Sequence, residues 1–439
     1  MSPSLTASRS GALHGGSRVL MIVQNLPVPF DRRVWLECQA LVSAGYRVTV
    51  VCPRGKHDLP HEVIDTIEIY RYRPYAPGGS KAGFVVEYIY SFLATVRLTL
   101  KARRRGRFAA IQACNPPDIF WPIAMFFRFL EGTRFVFDHH DLCPELYLSR
   151  FPEGPKLLHR GLLALERRTH RLADHVIATN QSYRDIAITR SGKASGQVTV
   201  VRSGPDPDLL KCVSPDPALL RGRRFLVAYI GVMGPQDGVD IVVRAADIVV
   251  HALRREDIAF TLMGTGDCFA GLIKLRDELG LAGHVEFTGL APDELVARIL
   301  STADVGLSPD PKNLLNDVST MNKSMEYMAF ELPVVAFDLR ETRVSVADAG
   351  VYVEPNDVRG YAQAIVDLID DAPKRAELGK LGRVRVEQKL AWEHQKGAYL
   401  GVYRKVIIGD SRFSRLRGPR LLPRGINARH WLAGRHGYP

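Results

Sequence analysis

Asn322-Lys323-Ser324-Met325-Glu326-Tyr327-Met328-Ala329-Phe330-Glu331-Leu332-Pro333-Val334-Val335-Ala336-Phe337 is the stretch on which the reading of this chain turns. Its first half has helical spacing. Met325, Met328 and Ala329 fall on one face, while Lys323 and Glu326 sit three apart on another. Pro333 is expected to end the helix, and Val334 to Phe337 then form a short apolar run of the kind buried in parallel sheets. Lys323 lies in the first helical turn, which the helix dipole disfavours for a cation, but a cation beside free backbone N–H groups suits a phosphate. Glu326, one turn on, can accept two hydrogen bonds from vicinal hydroxyls such as those of a ribose. The plainer alternative is an ordinary surface ion pair on an α/β helix.

Working outward, the same strand and helix grammar recurs. Arg18 to Val23 reads as a strand, Asp31 to Ala44 as a helix and Tyr46 to Cys52 as a second strand, a Rossmann-like opening. No Gly-x-Gly-x-x-Gly follows the first strand, which argues against a tightly bound dinucleotide. Phe135 to Phe137 reads as a strand whose carboxyl end delivers Asp138-His139-His140-Asp141, where an open α/β sheet places its chemistry. A second series begins at Phe225. The strand at 227–230 runs into Gly231-Val232-Met233-Gly234-Pro235-Gln236-Asp237-Gly238 and a helix, which is either a phosphate-binding loop or a simple βα turn. Further strands end at Gly264 and Gly289.

Composition sets the bounds. The chain has 439 residues, enough for two domains of ordinary size, with 46% hydrophobic and 24% charged residues. Cys38, Cys52, Cys114, Cys143, Cys212 and Cys268 show no metal-binding or CxxC spacing and read as reduced thiols of a cytoplasmic protein. The net charge of +12 suits anionic ligands or surfaces, but no nucleic-acid-binding motif is present. Phe84 to Leu100 reads as an apolar helix followed by Lys101, Arg103, Arg104, Arg105 and Arg107. It is either a core helix with a basic end or a peripheral contact for an anionic membrane. Residues 1–17 read as a disordered lead, and the tail after Asp410, with seven arginines and no acidic residue, as a solvated or anion-touching segment. No run of about 18 uncharged apolar residues is found.

The Asn-Lys-x-x-Glu-Tyr-Met-Ala element at 322–329, with the Pro-Val-Val strand and Asp338 after it, resembles the donor-binding signature of retaining glycosyltransferases of family 4. The resemblance extends over residues 18–408. It implies an α/β GT-B fold, two facing Rossmann-like domains with a C-terminal crossover helix: 18–205 for the acceptor, 206–390 for the nucleotide-sugar donor, 391–410 for the crossover helix and 411–439 for the basic tail. It implies transfer of a sugar from a nucleotide donor, UDP-linked, to a glycan or lipid-linked acceptor, with retention and without metal or cofactor. A degenerate nucleotide-sugar or lipid-binding module and a GT-B epimerase are the rival readings.

Site residues follow from the same resemblance. Gly231, Gly234, Gly238, Gly264, Gly289, Asn322, Lys323 and Glu326 would hold the donor. His140 would face the donor sugar, and Asp141 would orient that ring or bind the acceptor. Asp31, Arg32 and Arg33 resemble the acceptor-side loop, with a capped helix start as the plainer account of Asp31. Two departures stand out. Eight residues before Glu326, where many relatives carry a second glutamate, this chain has Val318, leaving Asp317, Asn316 or the backbone near Thr320 to replace it. Where relatives place cations in the glycine loop, it has Val232 and Asp237, so Lys323 is expected to meet the phosphate charge.

Overall fold

The computed structural model describes residues 16–75 and 81–409; the lead, most of the 74–79 loop and the arginine-rich tail lie outside them. The first sheet contains β1 (Arg18–Ile22), β2 (Arg47–Pro53), β3 (His61–Ile64), β4 (Ile67–Tyr72), β5 (Ala110–Cys114), β6 (Arg134–His139), β7 (His175–Ala178) and β8 (Val198–Val200). Their order is β3-β4-β2-β1-β5-β6-β7-β8, parallel throughout except for β3 against β4. The second sheet contains β9 (Phe225–Ile230), β10 (Ile258–Met263), β11 (Val285–Gly289), β12 (Val305–Ser308), β13 (Val334–Phe337) and β14 (Gly350–Val353). Its order is β11-β10-β9-β12-β13-β14, and its neighbours run parallel.

The central strands of each sheet are buried on both faces, so β1, β10 and β13 are buried at every residue, and apolar except for Arg18 and Thr261. In each the chain first builds outward on one side and then returns to build on the other. The reversal falls between β1 and β5 in the first sheet and between β9 and β12 in the second. A crevice opens beyond the carboxyl ends of the strands at such a point. The loops after β1, β5 and β6 line one wall, and the loops after β9 and β12 line the other.

Three local features differ from the sequence expectation. The hairpin β3–β4 is an addition: Asp65 and Thr66 form its two-residue turn with φ of 46° and 69°. Such turns usually announce themselves with Asn-Gly, and a β-branched threonine in the left-handed region gives no such signal. β6 runs two residues further than expected, through Asp138 and His139. The helix Asn322–Ala329 stops before Pro333 comes into play, with Glu331 in the left-handed region at φ 56°.

The final helix, Trp392–Tyr403, continues through Arg404–Ile408 and packs on the first sheet, not the second. Trp392, Tyr399, Val402, Tyr403 and Val406 share a core with β1, β2 and the helix Arg32–Ser43. Where this segment leaves the second half it passes against Gly204, at which a Cβ would stand 2.2 Å from the Leu390 carbonyl oxygen. Glycine is required there by contact with backbone that cannot yield.

Candidate active site

In the second half, three loops are stitched edge to edge. The Gly231 N–H donates to the Met263 carbonyl at 3.0 Å, and the Gly264 N–H to the Gly289 carbonyl at 2.9 Å. Gly264, at φ 134°, lies so close to Gly231 that a Cβ would stand 1.8 Å from the Gly231 oxygen. Gly238 abuts the Pro309 carbonyl. The glycines thus bring the loops together. Within the first loop, the Gly234 N–H donates to Asp237 Oδ2 at 2.9 Å, so a carboxylate of the chain itself occupies a donor that a phosphate would want.

Lys323 is not the exposed lysine of an ordinary helix start. Its side chain is 10% exposed, and Nζ donates to Asp310 Oδ1 at 2.5 Å, over the ring of Tyr229. Burial works against its charge, but Asp310 and Asp237 outweigh it and raise its pKa. Asp310 is itself buried and accepts from Ser308 Oγ at 2.6 Å. The surface pair of Lys323 with Glu326 is not formed either. Glu326 stands 3.7 Å from Arg32 Nη1 of the first half, and burial raises its pKa against the pull of that arginine. Asn322 is exposed at the same helix start.

On the opposite wall, alternation along β6 puts Asp138 and His140 on one side and His139 on the other. His139 is buried in a ring cluster with Phe137, His170 and Tyr183. His140 Nε2 lies 2.6 Å from Asp138 Oδ2 and 3.0 Å from Arg33 Nε. One proton fits on that nitrogen, and the shorter contact with the carboxylate takes it. Nδ1 makes no hydrogen bond among the described residues. Asn115 Oδ1 accepts from the His140 N–H at 2.6 Å and fixes the backbone.

Behind this ring lies a buried polar network. Arg33 Nη2 donates to Asp138 Oδ1 at 2.9 Å and Arg33 Nε sits 3.1 Å from Glu37 Oε1. Gln112 Nε2 donates to Glu37 Oε2 at 2.7 Å and to Asp138 Oδ2 at 3.0 Å, while its Oε1 accepts from Tyr403 at 2.5 Å and Tyr399 at 3.1 Å. Burial opposes the charge on Asp138, but Arg33 and His140 outweigh it and hold that carboxyl below the ordinary range. Burial, with Asp138 beside it, pushes Glu37 well up, so Glu37 is the partner that keeps a proton. Cys114 Sγ gathers with Asp138 and His140 within 4.8 Å, a grouping of metal-ligand type. The cation in contact with it is Arg33, and burial, with Asp138 adding to it, keeps the sulfur protonated.

The remaining expected residues distribute as follows. Asp31 accepts from the Val34 N–H at 3.1 Å and caps its helix. Arg33 belongs to the buried network, so of the Asp31-Arg32-Arg33 run Arg32 is the one that reaches into the cleft, pairing with Asp293 as well as Glu326. Asp138, not Asp141, orients His140, and the Asp141 carboxyl is raised by burial. Val318 turns away from the second half and packs with Leu315 on the core of the first. The side chains of its neighbours are committed too, while the backbone N–H groups near Thr320 are not taken by these contacts. Asn316 donates to the Gln236 and Pro311 carbonyls, Asp317 accepts from the Arg340 N–H, and Thr320 accepts from Asn180.

Solved structures share this architecture. Sucrose-phosphate synthase from Thermosynechococcus elongatus aligns with a TM-score of 0.73 at 19% identity, covering 90% of this chain and 100% of that one. HepE of Anabaena, in complex with UDP-glucose, aligns with a TM-score of 0.64 at 16% identity, covering 90% and 99%. These likenesses define the class, the GT-B fold of two facing Rossmann-like units. Residues 31–209 match the family model described as Glycosyltransferase Family 4, and residues 224–371 the one described as Glycosyl transferases group 1. The chain belongs to this family of glycosyltransferases.

Among its relatives is the D-inositol 3-phosphate glycosyltransferase of Thermomonospora curvata, 30% identical over 253 residues, which are 53% of this chain and 57% of that protein. Another is the GDP-mannose-dependent alpha-(1-6)-phosphatidylinositol monomannoside mannosyltransferase of Mycolicibacterium smegmatis, 30% identical over 188 residues, 42% and 48% of the two chains. The match spans about half the length of these relatives.

Proposed function

We propose that the protein transfers a sugar from a nucleotide donor, UDP-linked, to a glycan or lipid-linked acceptor, with retention of anomeric configuration. What supports this reading is that Arg32, next in the chain to the Arg33 that contacts His140, reaches across to Glu326 on the helix that also carries Lys323. Glu326 holds the ribose, displacing Arg32 as it does so. The bond from the anomeric carbon to phosphate breaks, the acceptor oxygen joins that carbon from the same face, and the acceptor proton leaves on the departing phosphate oxygen. His140 steadies the donor sugar beside the reacting carbon. The step uses cationic side chains where other transferases use a divalent ion, and no cofactor besides the sugar nucleotide.

An apolar groove of about 320 Å³ lined by Tyr88, Ile89, Phe92, Leu93 and Ile119 favours an acceptor with a lipid portion. Phe129 and Leu157 are apolar side chains left 89% and 80% exposed. Arg103 and Arg105 of the basic cluster, by contrast, are paired with Glu131 and Glu68. No helix among the described residues is long and apolar enough to cross a membrane. The protein on this reading works peripherally at the cytoplasmic face of an anionic membrane.

The test is nucleoside-diphosphate release from UDP-, GDP- and ADP-sugars with a mixed acceptor pool, with and without chelator. Transfer is expected from one donor class, and His140→Ala is expected to lower turnover about a hundredfold or more while leaving nucleotide affinity nearly unchanged. Binding without turnover would establish the degenerate module, and altered sugar nucleotide without transfer the epimerase.

A further inference from the structure

The donor diphosphate needs positive charge, and the second half supplies little. Val232 is 58% exposed and neutral, Asp237 adds a carboxyl to the loop, and Lys323 already answers to two carboxylates. The first half reaches in. Arg150, the last residue of the helix Cys143–Arg150 that follows the His140 turn, extends Nε to Gln236 Oε1 at 3.3 Å and Nη1 to Asp267 Oδ2 at 3.3 Å. Gln236 belongs to the glycine loop and Asp267 to the loop after β10, so the guanidinium lies at the mouth of both. It also stands near enough to Asp237 and Asp141 to favour the charged form of each, which sets it between the His140 turn and the glycine loop. Both contacts are long and Asp267 is largely exposed, so the fork is free to turn to a stronger acceptor.

We propose that Arg150, carried on the opposite half, is the cation that grips the donor diphosphate in place of those missing at Val232 and Asp237. The inference rests on the nucleotide-sugar reading above. It makes diphosphate recognition a property of the two halves together: a nucleoside needs only the second half, and a nucleoside diphosphate both.

Calorimetry on the full chain with UDP, GDP and ADP and with the matching nucleosides separates the possibilities. The wild type is expected to prefer one nucleoside diphosphate over its nucleoside. Arg150→Ala should weaken that diphosphate about 10- to 100-fold while leaving the nucleoside within about twofold, the range for hydrogen bonds to a charged group. Arg150→Lys should recover part of the loss, because a point charge replaces a fork. A wild type with no preference for any diphosphate would overturn the nucleotide-sugar reading itself. A wild-type preference that survives in Arg150→Ala would overturn the role of Arg150 alone. Equal loss of nucleoside and diphosphate would also overturn it, marking Arg150 as an interdomain strut.

Discussion

The two walls of the cleft are built on the same charge pattern and use it to opposite ends. In the first half one guanidinium, Arg33, faces two carboxyl groups, Glu37 and Asp138; in the second one ammonium, Lys323, faces Asp237 and Asp310. In each set one acid is pushed up, Glu37 well above its ordinary value and Asp237 to about 6. The first cluster is sealed in the core and tied to the final helix through Gln112, so its product is the orientation of one imidazole. The second lies at the glycine loop, the proposed seat of the donor diphosphate, and it carries more negative than positive groups. A buried network that needs nothing from outside makes a fixed tool. One left with surplus acid makes a site that has to borrow a proton, or a cation from across the cleft.

The largest expected effect comes from breaking the second cluster at its cation. Lys323→Ala leaves Asp310 buried without its partner, which costs about 3–5 kcal/mol. Urea denaturation should show that loss, and Lys323→Ala combined with Asp310→Asn should regain most of it, since neither charge then remains. Equal stability of wild type and the alanine variant would show that Lys323 is a ligand-facing cation and not a structural one. The two clusters would then differ in kind.

A somewhat smaller effect tests the surplus acid. Burial, reinforced by Asp310, lifts Asp237 from its ordinary 3.8 to about 6 against the pull of Lys323. The fold therefore binds this proton more tightly than the unfolded chain does. Its contribution to stability is fully present below about pH 4, falls as pH rises to about 6, and is flat above, a change of about 3 kcal/mol at most. Asp237→Asn should flatten that segment of the stability profile, match the wild type at pH 4 and exceed it at pH 7. The same variant should bind a nucleoside diphosphate more tightly at pH 8. Parallel profiles for the two proteins would mean that Asp237 titrates normally and that the second wall has no surplus to correct.

Much of this was legible in the chain because burial on two faces writes itself as apolar runs, and because Asp138 to Asp141 and Asn322 to Ala329 are compact in sequence. Contacts made by distant residues were not. Nothing local marks Asp310 as the partner of Lys323, or Gln112 as the hub between Tyr403 and Asp138, since those pairings are set by which strands end side by side. One signal was available and is instructive: a strand extended through His139 puts Asp138 and His140 two apart, on the same side, and names Asp138 over Asp141 as the ring's partner. The glycines were visible as a loop, but close approach of Gly231 and Gly264 explains them as well as a phosphate does.

The smallest effect probes how far the first network extends. Tyr403 donates to Gln112 Oε1, and Tyr399 donates to the same oxygen from one turn earlier. Tyr403→Phe removes the bond to Gln112 and the longer contacts of the same hydroxyl with Tyr399 at 3.4 Å and Met21 Sδ at 3.8 Å, but leaves Gln112 Oε1 satisfied by Tyr399, so the loss should be about 1 kcal/mol, without the penalty of an orphaned polar group. Gln112 is also held at its other end by Glu37 and Asp138, so His140 should shift only slightly. Turnover is expected to fall by about twofold to tenfold, the rate equivalent of up to about 1.4 kcal/mol, with nucleotide affinity unchanged, because neither tyrosine bonds to Glu326 or Arg150, the groups proposed to hold the nucleotide. Tyr399→Phe combined with Tyr403→Phe leaves Gln112 Oε1 unpaired, and the cost should exceed the sum of the single changes. Additive losses in stability with an undisturbed turnover would confine the two tyrosines to packing, and the first wall would then orient His140 without help from the final helix.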